Sequence, residues 1–99
     1  MELIKTQQNG ELNIALKGRL DTTTAPQLEG ELRGALDGVT TLVFDLKDLA
    51  YISSAGLRVL LSAQKTMNRQ GDMILRNVNS DIMEIFEVTG FVDILNIES

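Results

Sequence analysis

Ser53 and Ser54 stand side by side, followed by Ala55, Gly56 and, one leucine later, Arg58. Their setting suggests what such hydroxyls can do. Before them lies an apolar, β-branched run, Thr41-Leu42-Val43-Phe44-Asp45-Leu46, which predicts a buried strand over 40–46. After them, Leu57, Leu60, Leu61 and Met67 recur at helical spacing. A strand that ends and a helix that begins over Ser-Ser-Ala-Gly puts two hydroxyls at a helix N-terminus, where free N–H groups and the positive end of the macrodipole converge. That setting favours an anion, including a phosphate carried on one of those serines. Arg58 falls in the first turn, within reach of an anion on Ser54. Asp21 with Thr22, Thr23 and Thr24 forms a second acidic, hydroxyl-bearing edge, expected near the same strand ends.

Each of these residues has a plainer reading on local pattern alone. A serine at a helix start is most often an N-cap, worth about 1 kcal/mol. Gly56 reads either as the close approach of a partner or as helix-start geometry. Asp21 and the threonines read as a solvated loop that caps a helix, and Arg58 as an exposed side chain. Asp45 and Asp48 are not spaced as a metal pair with other oxygen ligands, so no metal site is expected. No phosphate loop, zinc spacing or dinucleotide fingerprint occurs.

Composition narrows the classes of function. The 99 residues are enough for one domain, 1–99, with one core. Apolar residues make up 43 % of the chain and charged ones 23 %, as in ordinary globular proteins. A net charge of −5 disfavours nucleic acid, whose phosphates need a basic face, and disfavours anionic lipid as well. Without cysteine there is no disulfide, thiolate ligand or thiol nucleophile. Without histidine the commonest general base and metal ligand is missing, and no evident base stands beside Ser54, so no enzyme and no cofactor is expected. The start, Met-Glu-Leu-Ile-Lys, lacks the features of a signal peptide, and no apolar run is long enough to span a membrane. A cytoplasmic protein is expected.

The elements that must hold the serines can be read in order. Residues 3–7 and 12–17 predict two strands joined at Asn9-Gly10, a strong hairpin signal. Thr24 with Gln27 fits a capping box, with Pro26 in the first turn of a helix that carries Leu28, Leu32, Ala35 and Leu36 and stops near Gly38. The strand at 40–46, a loop from Lys47 to Ile52 and a helix from about Ser54 to Arg69 follow. Met73-Ile74-Leu75 predicts a fourth strand, Ser80 the start of a third helix ending at Gly90, and Phe91 to Leu95 a last short strand or tail. The order β-β-α-β-α-β-α-β implies an α/β domain: a mixed β-sheet, largely parallel after the hairpin, with helices packed on it. Such sheets carry their sites in strand-to-helix loops.

The stretch from Leu42 to Leu57, with Ser53-Ser54-Ala55-Gly56-Leu57 at its end, resembles the signature of STAS domains, most of all the stand-alone bacterial anti-sigma factor antagonists. Gly18-Arg19-Leu20-Asp21 also matches that family's Gly-x-Leu-Asp corner. The likeness spans nearly the whole chain in element order. It implies a STAS-like fold and a regulatory, non-enzymatic role, with Ser54 as the serine phosphorylated by an anti-sigma factor kinase. That kinase is an ATPase of histidine-kinase-like fold. Asp21, Thr22, Ser53, Ser54, Ala55, Gly56 and Arg58 would form the partner-binding surface. Unphosphorylated, such a domain binds the kinase and frees a sigma factor. Phosphorylated, it lets go until a metal-dependent serine phosphatase restores it. ATP belongs to the partner, and the free domain is expected to be a monomer.

This chain departs from the family at two positions. Ser53 occupies the place of a usual aspartate, which keeps Ser53 open as an alternative acceptor. Arg58 occupies a place where a small residue is common, and would partly neutralise a phosphate and soften the switch. Two other functions compete: a structural subunit of a lipid-transport ABC system, in which the serine is only a cap, and a nucleotide- or small-molecule-binding sensor using Arg58, Asp21 and the helix N-terminus.

Overall fold

The computed structural model describes residues 1–98. Strands β1 (Glu2–Gln8) and β2 (Glu11–Leu20) form the expected antiparallel hairpin, in register from Gln8 opposite Glu11 to Glu2 opposite Lys17. Asn9 and Gly10 both take positive φ, 49° and 83°, as a two-residue turn matching the twist of the strands requires. Helix α1 (Ala25–Leu32) leads to β3 (Thr41–Ile52), helix α2 (Ser54–Met67) to β4 (Asp72–Arg76), and helix α3 (Ser80–Thr89) to a short 3-10 turn at Phe91–Asp93. The sheet order is β1-β2-β3-β4, with β2, β3 and β4 mutually parallel. This is the mixed sheet that the element order implies.

Alternation builds the core. Leu12, Ile14 and Leu16 of β2, Leu42, Phe44 and Leu46 of β3, and Met73 and Leu75 of β4 are buried in one cluster with Leu28, Leu60, Ile82 and Phe86 from the three helices. Each fully buried side chain of this kind contributes about 1.5–3 kcal/mol. Val43 has the opposite parity: it is buried outside that cluster, between its register neighbours Asn13 and Ile74.

Several sequence expectations are corrected. The segment 47–52, read as a loop, is the second half of β3. Between Ala15 and Lys17, and again between Gly18 and Arg19, β3 advances one residue more than β2. These two bulges shift the buried positions to Leu46, Leu49 and Ile52, a spacing of three that hides the strand from a period-two reading. Helix α1 ends at Leu32, short of Gly38, because Arg33 turns to extended backbone (φ −66°, ψ 117°). Leu36 and Ala35 still reach the core from the turns that follow. The Thr24–Gln27 capping box does not form: Thr24 is the N-cap but makes no side-chain bond to the helix. Pro26 does sit in the first turn, as expected. Helix α2 stops at Met67, just short of the expected Arg69.

At the other end, Ser80 begins α3 as expected, with Asn79 as its cap, and Gly90 closes that helix as expected. Of the short strand or tail expected over Phe91 to Leu95, no strand forms. Phe91–Asp93 is a 3-10 turn, and the chain meets the sheet only beyond it, where Ile97 bridges Leu75 in parallel. There Leu75 N–H donates to Asn96 O and Glu98 N–H to Leu75 O, each at 2.9 Å.

Asn79 joins two elements. Its Oδ1 accepts from the Ile82 N–H at 2.9 Å, and its Nδ2 donates to the Leu49 carbonyl at 2.8 Å, tying α3 to the far half of β3. Asn79→Ala is expected to cost about 1–2 kcal/mol. Asn79→Ser, which keeps a capping oxygen but cannot span to Leu49, should lose less. Urea unfolding midpoints at constant slope measure both.

Candidate functional site

The backbone of β3 leaves the sheet at Ile52, and Ser53, extended at φ −97° and ψ 175°, turns it into α2. The Ser53 N–H donates to the Leu20 carbonyl at 2.9 Å, and its own carbonyl accepts from the Leu57 N–H at 2.9 Å. Its hydroxyl accepts from the Gly56 N–H at 3.4 Å, a long capping bond. Ser53 is therefore the N-cap, a role the sequence left between the two serines. Ser54 is the first helical residue and is exposed, and its hydroxyl has no hydrogen-bond partner among the described residues. The two adjacent hydroxyls thus have different employment: one is half-buried and committed to the helix, the other free in solvent.

Gly56 explains why the helix starts here. A Cβ at this position would lie 2.7 Å from Leu20 Cγ and 2.9 Å from Ile52 Cγ1. Leu20 and Ile52 are register neighbours at the ends of β2 and β3, and both are buried. The first turn of α2 rests directly on them. Neither sequence reading of Gly56 anticipated this: the close approach is to the protein's own core.

The corner after β2 lies against the same loop, as expected, joined by the Ser53–Leu20 bond. Asp21 Oδ1 accepts from the Thr23 N–H at 3.0 Å, the Thr23 hydroxyl at 2.8 Å and the Thr24 N–H at 3.2 Å. The Asp21 N–H donates to Thr24 Oγ1 at 2.8 Å, and the Thr24 hydroxyl donates to the Arg19 carbonyl at 2.7 Å. The Thr24 hydroxyl serves the corner, while its carbonyl still accepts from the Leu28 N–H at 3.3 Å as the N-cap of the helix. The Thr23 hydroxyl holds the Asp21 carboxyl below its ordinary value; partial desolvation opposes this, and the Thr23 and Thr24 N–H groups reinforce it. Asp21 is thus a structural staple of the corner, more than the solvated loop residue that its local pattern suggests.

Arg19 and Tyr51 were missed by sequence reasoning. They face each other across β2 and β3, with the guanidinium 4.3 Å from the ring centroid, and Arg19 Nε lies 3.7 Å from Asp21 Oδ2. Only the bulged strand register brings them together.

On the helical side, Thr22, Pro26 and Glu29 meet Ala55, Arg58 and Val59 around an open hollow of about 360 Å3. Thr22, Ala55 and Arg58 thus share one wall-to-wall surface beside Ser54. Asp21 and Ser53, both half-buried, and the buried Gly56 do not line it. Arg58 is exposed and four residues after Ser54, a neighbouring position on the helix surface. No acidic side chain occupies the first turn of α2. Among the described residues no group of three potential metal ligands occurs, and no helix is long and apolar enough to cross a membrane. Chemically, the site offers an exposed hydroxyl on a positive helix end with an arginine nearby. It can carry a phosphate placed by another protein.

Gly56→Ala is expected to destabilise by about 1–3 kcal/mol, because the added methyl overpacks two buried side chains. Calorimetry of the two proteins measures it. Asp21→Asn should lower the thermal midpoint at neutral pH. Since the folded carboxyl titrates below the unfolded one, its stabilisation is present above the ordinary value of about 3.9 and is lost as pH falls through the folded value. The gap in melting temperature between Asp21→Asn and parent should therefore narrow as the solution is acidified below that point.

The family model described as the STAS domain matches residues 2–99. BtrV of Bordetella bronchiseptica, described as a candidate anti-sigma factor antagonist, is 40 % identical over 96 residues, covering 95 % of this chain and 83 % of that one. The anti-sigma-B factor antagonist of Listeria monocytogenes is 30 % identical over 99 residues, covering 97 % and 86 %. Among solved structures, the unphosphorylated anti-sigma factor antagonist SpoIIAA superposes with a TM-score of 0.78 at 19 % identity, over 99 % of this chain and 88 % of that one. An anti-sigma factor antagonist candidate from Thermotoga maritima gives 0.89 at 16 % identity, over 98 % and 86 %. At such identities the structural matches speak for the fold alone.

Proposed function

The chain belongs to the STAS domain family, and from that premise we propose that it is an anti-sigma factor antagonist switched by phosphorylation of Ser54. The observation that carries the reading is the division of labour between the two serines. Ser54 is exposed with its hydroxyl unengaged, whereas the Ser53 hydroxyl caps α2. Unphosphorylated, the domain binds an anti-sigma serine kinase of histidine-kinase-like fold in the cytoplasm and frees a sigma factor. The free domain is a monomer. A metal-dependent serine phosphatase reverses the modification, and the domain itself carries out no reaction.

The physics of the switch is a local change of charge. A phosphoserine carries about −1.5 to −2 charges and three strong acceptor oxygens. On the first residue of α2 it meets N–H groups without helical partners, so the fold tolerates it. A partner packed on the same surface must desolvate that dianion or move away, and a loss of about 3 kcal/mol lowers affinity by more than a hundredfold. The sensor reading gains nothing from the geometry, because the Asp21 carboxylate is turned into its own corner. No observation favours the transport-subunit reading.

Incubation with the purified cognate kinase and ATP, read by intact-mass spectrometry, tests the proposal. The parent and Ser53→Ala should both gain one phosphate, and Ser54→Ala none. Loss of the cap should make Ser53→Ala less stable by about 1 kcal/mol. Incorporation that persists in Ser54→Ala and vanishes in Ser53→Ala would move the acceptor by one residue. A parent that takes up no phosphate would falsify the switch.

A further inference from the structure

The hollow beside Ser54 does not end at α2's first turn. It shares Glu29 and Val59 with a second hollow of about 350 Å3 that continues between α1 and the rest of α2. Leu32, Leu36, Val59 and Ala63 form its recessed floor, and Ser62 and Thr66 its rim. On α2 the joined groove runs from Ala55 to Thr66, about 16 Å at the helical rise of 1.5 Å per residue.

Its charge is polarised. In the middle, Arg33 and Glu29 pair with each other at 3.4 Å. Arg58 at the Ser54 end and Asp37 at the far end line the groove, and neither has an ion-pair partner among the described residues. The groove therefore presents a free cation at one end, a paired and net-neutral centre over an apolar floor, and a free anion at the other. Its walls are α1 with the turns that follow it on one side and α2 on the other, and neither offers an open strand edge for an extended segment to pair with. A helix, whose backbone bonds are internal, suits it.

We infer that this groove is the second half of the kinase-docking surface, and that it receives an amphipathic helix of the anti-sigma kinase with an acidic side chain facing Arg58 and a basic one facing Asp37. The inference rests on the proposed function and adds to it a footprint and a role for Arg58. One helical turn separates Ser54 from Arg58, so a phosphate on Ser54 takes the guanidinium as its counter-ion. That end of the groove then changes from one positive charge to a net negative one, and it repels the acidic side chain it formerly held. On this account Arg58 sharpens the switch, where the sequence alone suggests that it softens it.

Affinities of the purified cognate kinase for the full chain test the footprint. Ser62→Arg places a long cation over the groove's centre from an exposed helix position and should weaken binding at least about tenfold with unchanged melting temperature. Arg58→Glu and Asp37→Lys should each weaken it and alter its salt dependence. Val88→Arg, on the exposed face of α3, should bind as the parent does. The ratio of phosphorylated to unphosphorylated dissociation constants should shrink in Arg58→Ala. Parent affinity in both Ser62→Arg and Asp37→Lys, while Ser54 phosphorylation still expels the kinase, would overturn the groove and leave the proposed function standing. A parent that neither binds the kinase nor accepts phosphate removes both. Should Ser62→Arg instead dissociate a homodimer on sedimentation, the groove belongs to a second copy and the inference fails.

Discussion

The first turn of α2 lies so close to Leu20 and Ile52 that only a residue without a side chain fits between them. Those two residues are the last of their strands, paired in register, and the chain crosses from sheet to helix immediately above them. The contact fixes the height of the helix over the sheet and brings the corner after β2 within a hydrogen bond of Ser53. Close packing of this kind tolerates little added volume. Capping and corner geometry both follow from it.

The seating also separates the polar groups of the two loops into those that hold the structure and those that face outward. Ser53, Asp21 and Thr24 spend their oxygen atoms on backbone N–H groups and one another. Ser54 remains exposed on the surface, and Thr22 and Arg58 line the hollow next to it. Residue types are shared between the two groups, so chemistry alone does not sort them. Position relative to the strand ends does. A charge added to the outward group changes what a partner meets while the inward group keeps the backbone in place, which is the physical requirement for a switch that works without refolding.

The two bulges in β3 serve the same end. They carry the strand past the point where regular alternation with β2 would fail, keep Leu49 and Ile52 buried, and bring Tyr51 opposite Arg19. Asn79 then binds the lengthened strand through the Leu49 carbonyl. The far half of β3 is thus anchored on both sides before it delivers Ser53 to the helix, and the loop inherits the rigidity of the sheet.

Much of this was legible in the order of residues. The hairpin at Asn9-Gly10, the strand–helix alternation, the buried run from Leu42 to Leu46, the start of α2 over the serines and the stop at Gly90 all express local preferences: turn dihedrals, period and capping, each readable within a few residues. The Ser-Ala-Gly-Leu segment and the Gly-x-Leu-Asp corner were visible as motifs, with Ser54 among their residues. What escaped depends on contacts between segments distant in the chain. Thr24 fits a capping box, yet its hydroxyl found Asp21 and the Arg19 carbonyl instead. Lys47 to Ile52 breaks the period-two alternation of a strand, and only the two register shifts against β2 keep it in the sheet. Gly56 needs Leu20, thirty-six positions earlier, to explain it. The groove between α1 and α2 has no sequence signal, since its residues read as ordinary polar and apolar positions of two helices and the turns after the first. Local propensity determines which elements form and roughly where; the register of the sheet and the closeness of helix to strand, set only when distant side chains compete for the same volume, decide which of two neighbouring serines is structure and which is surface.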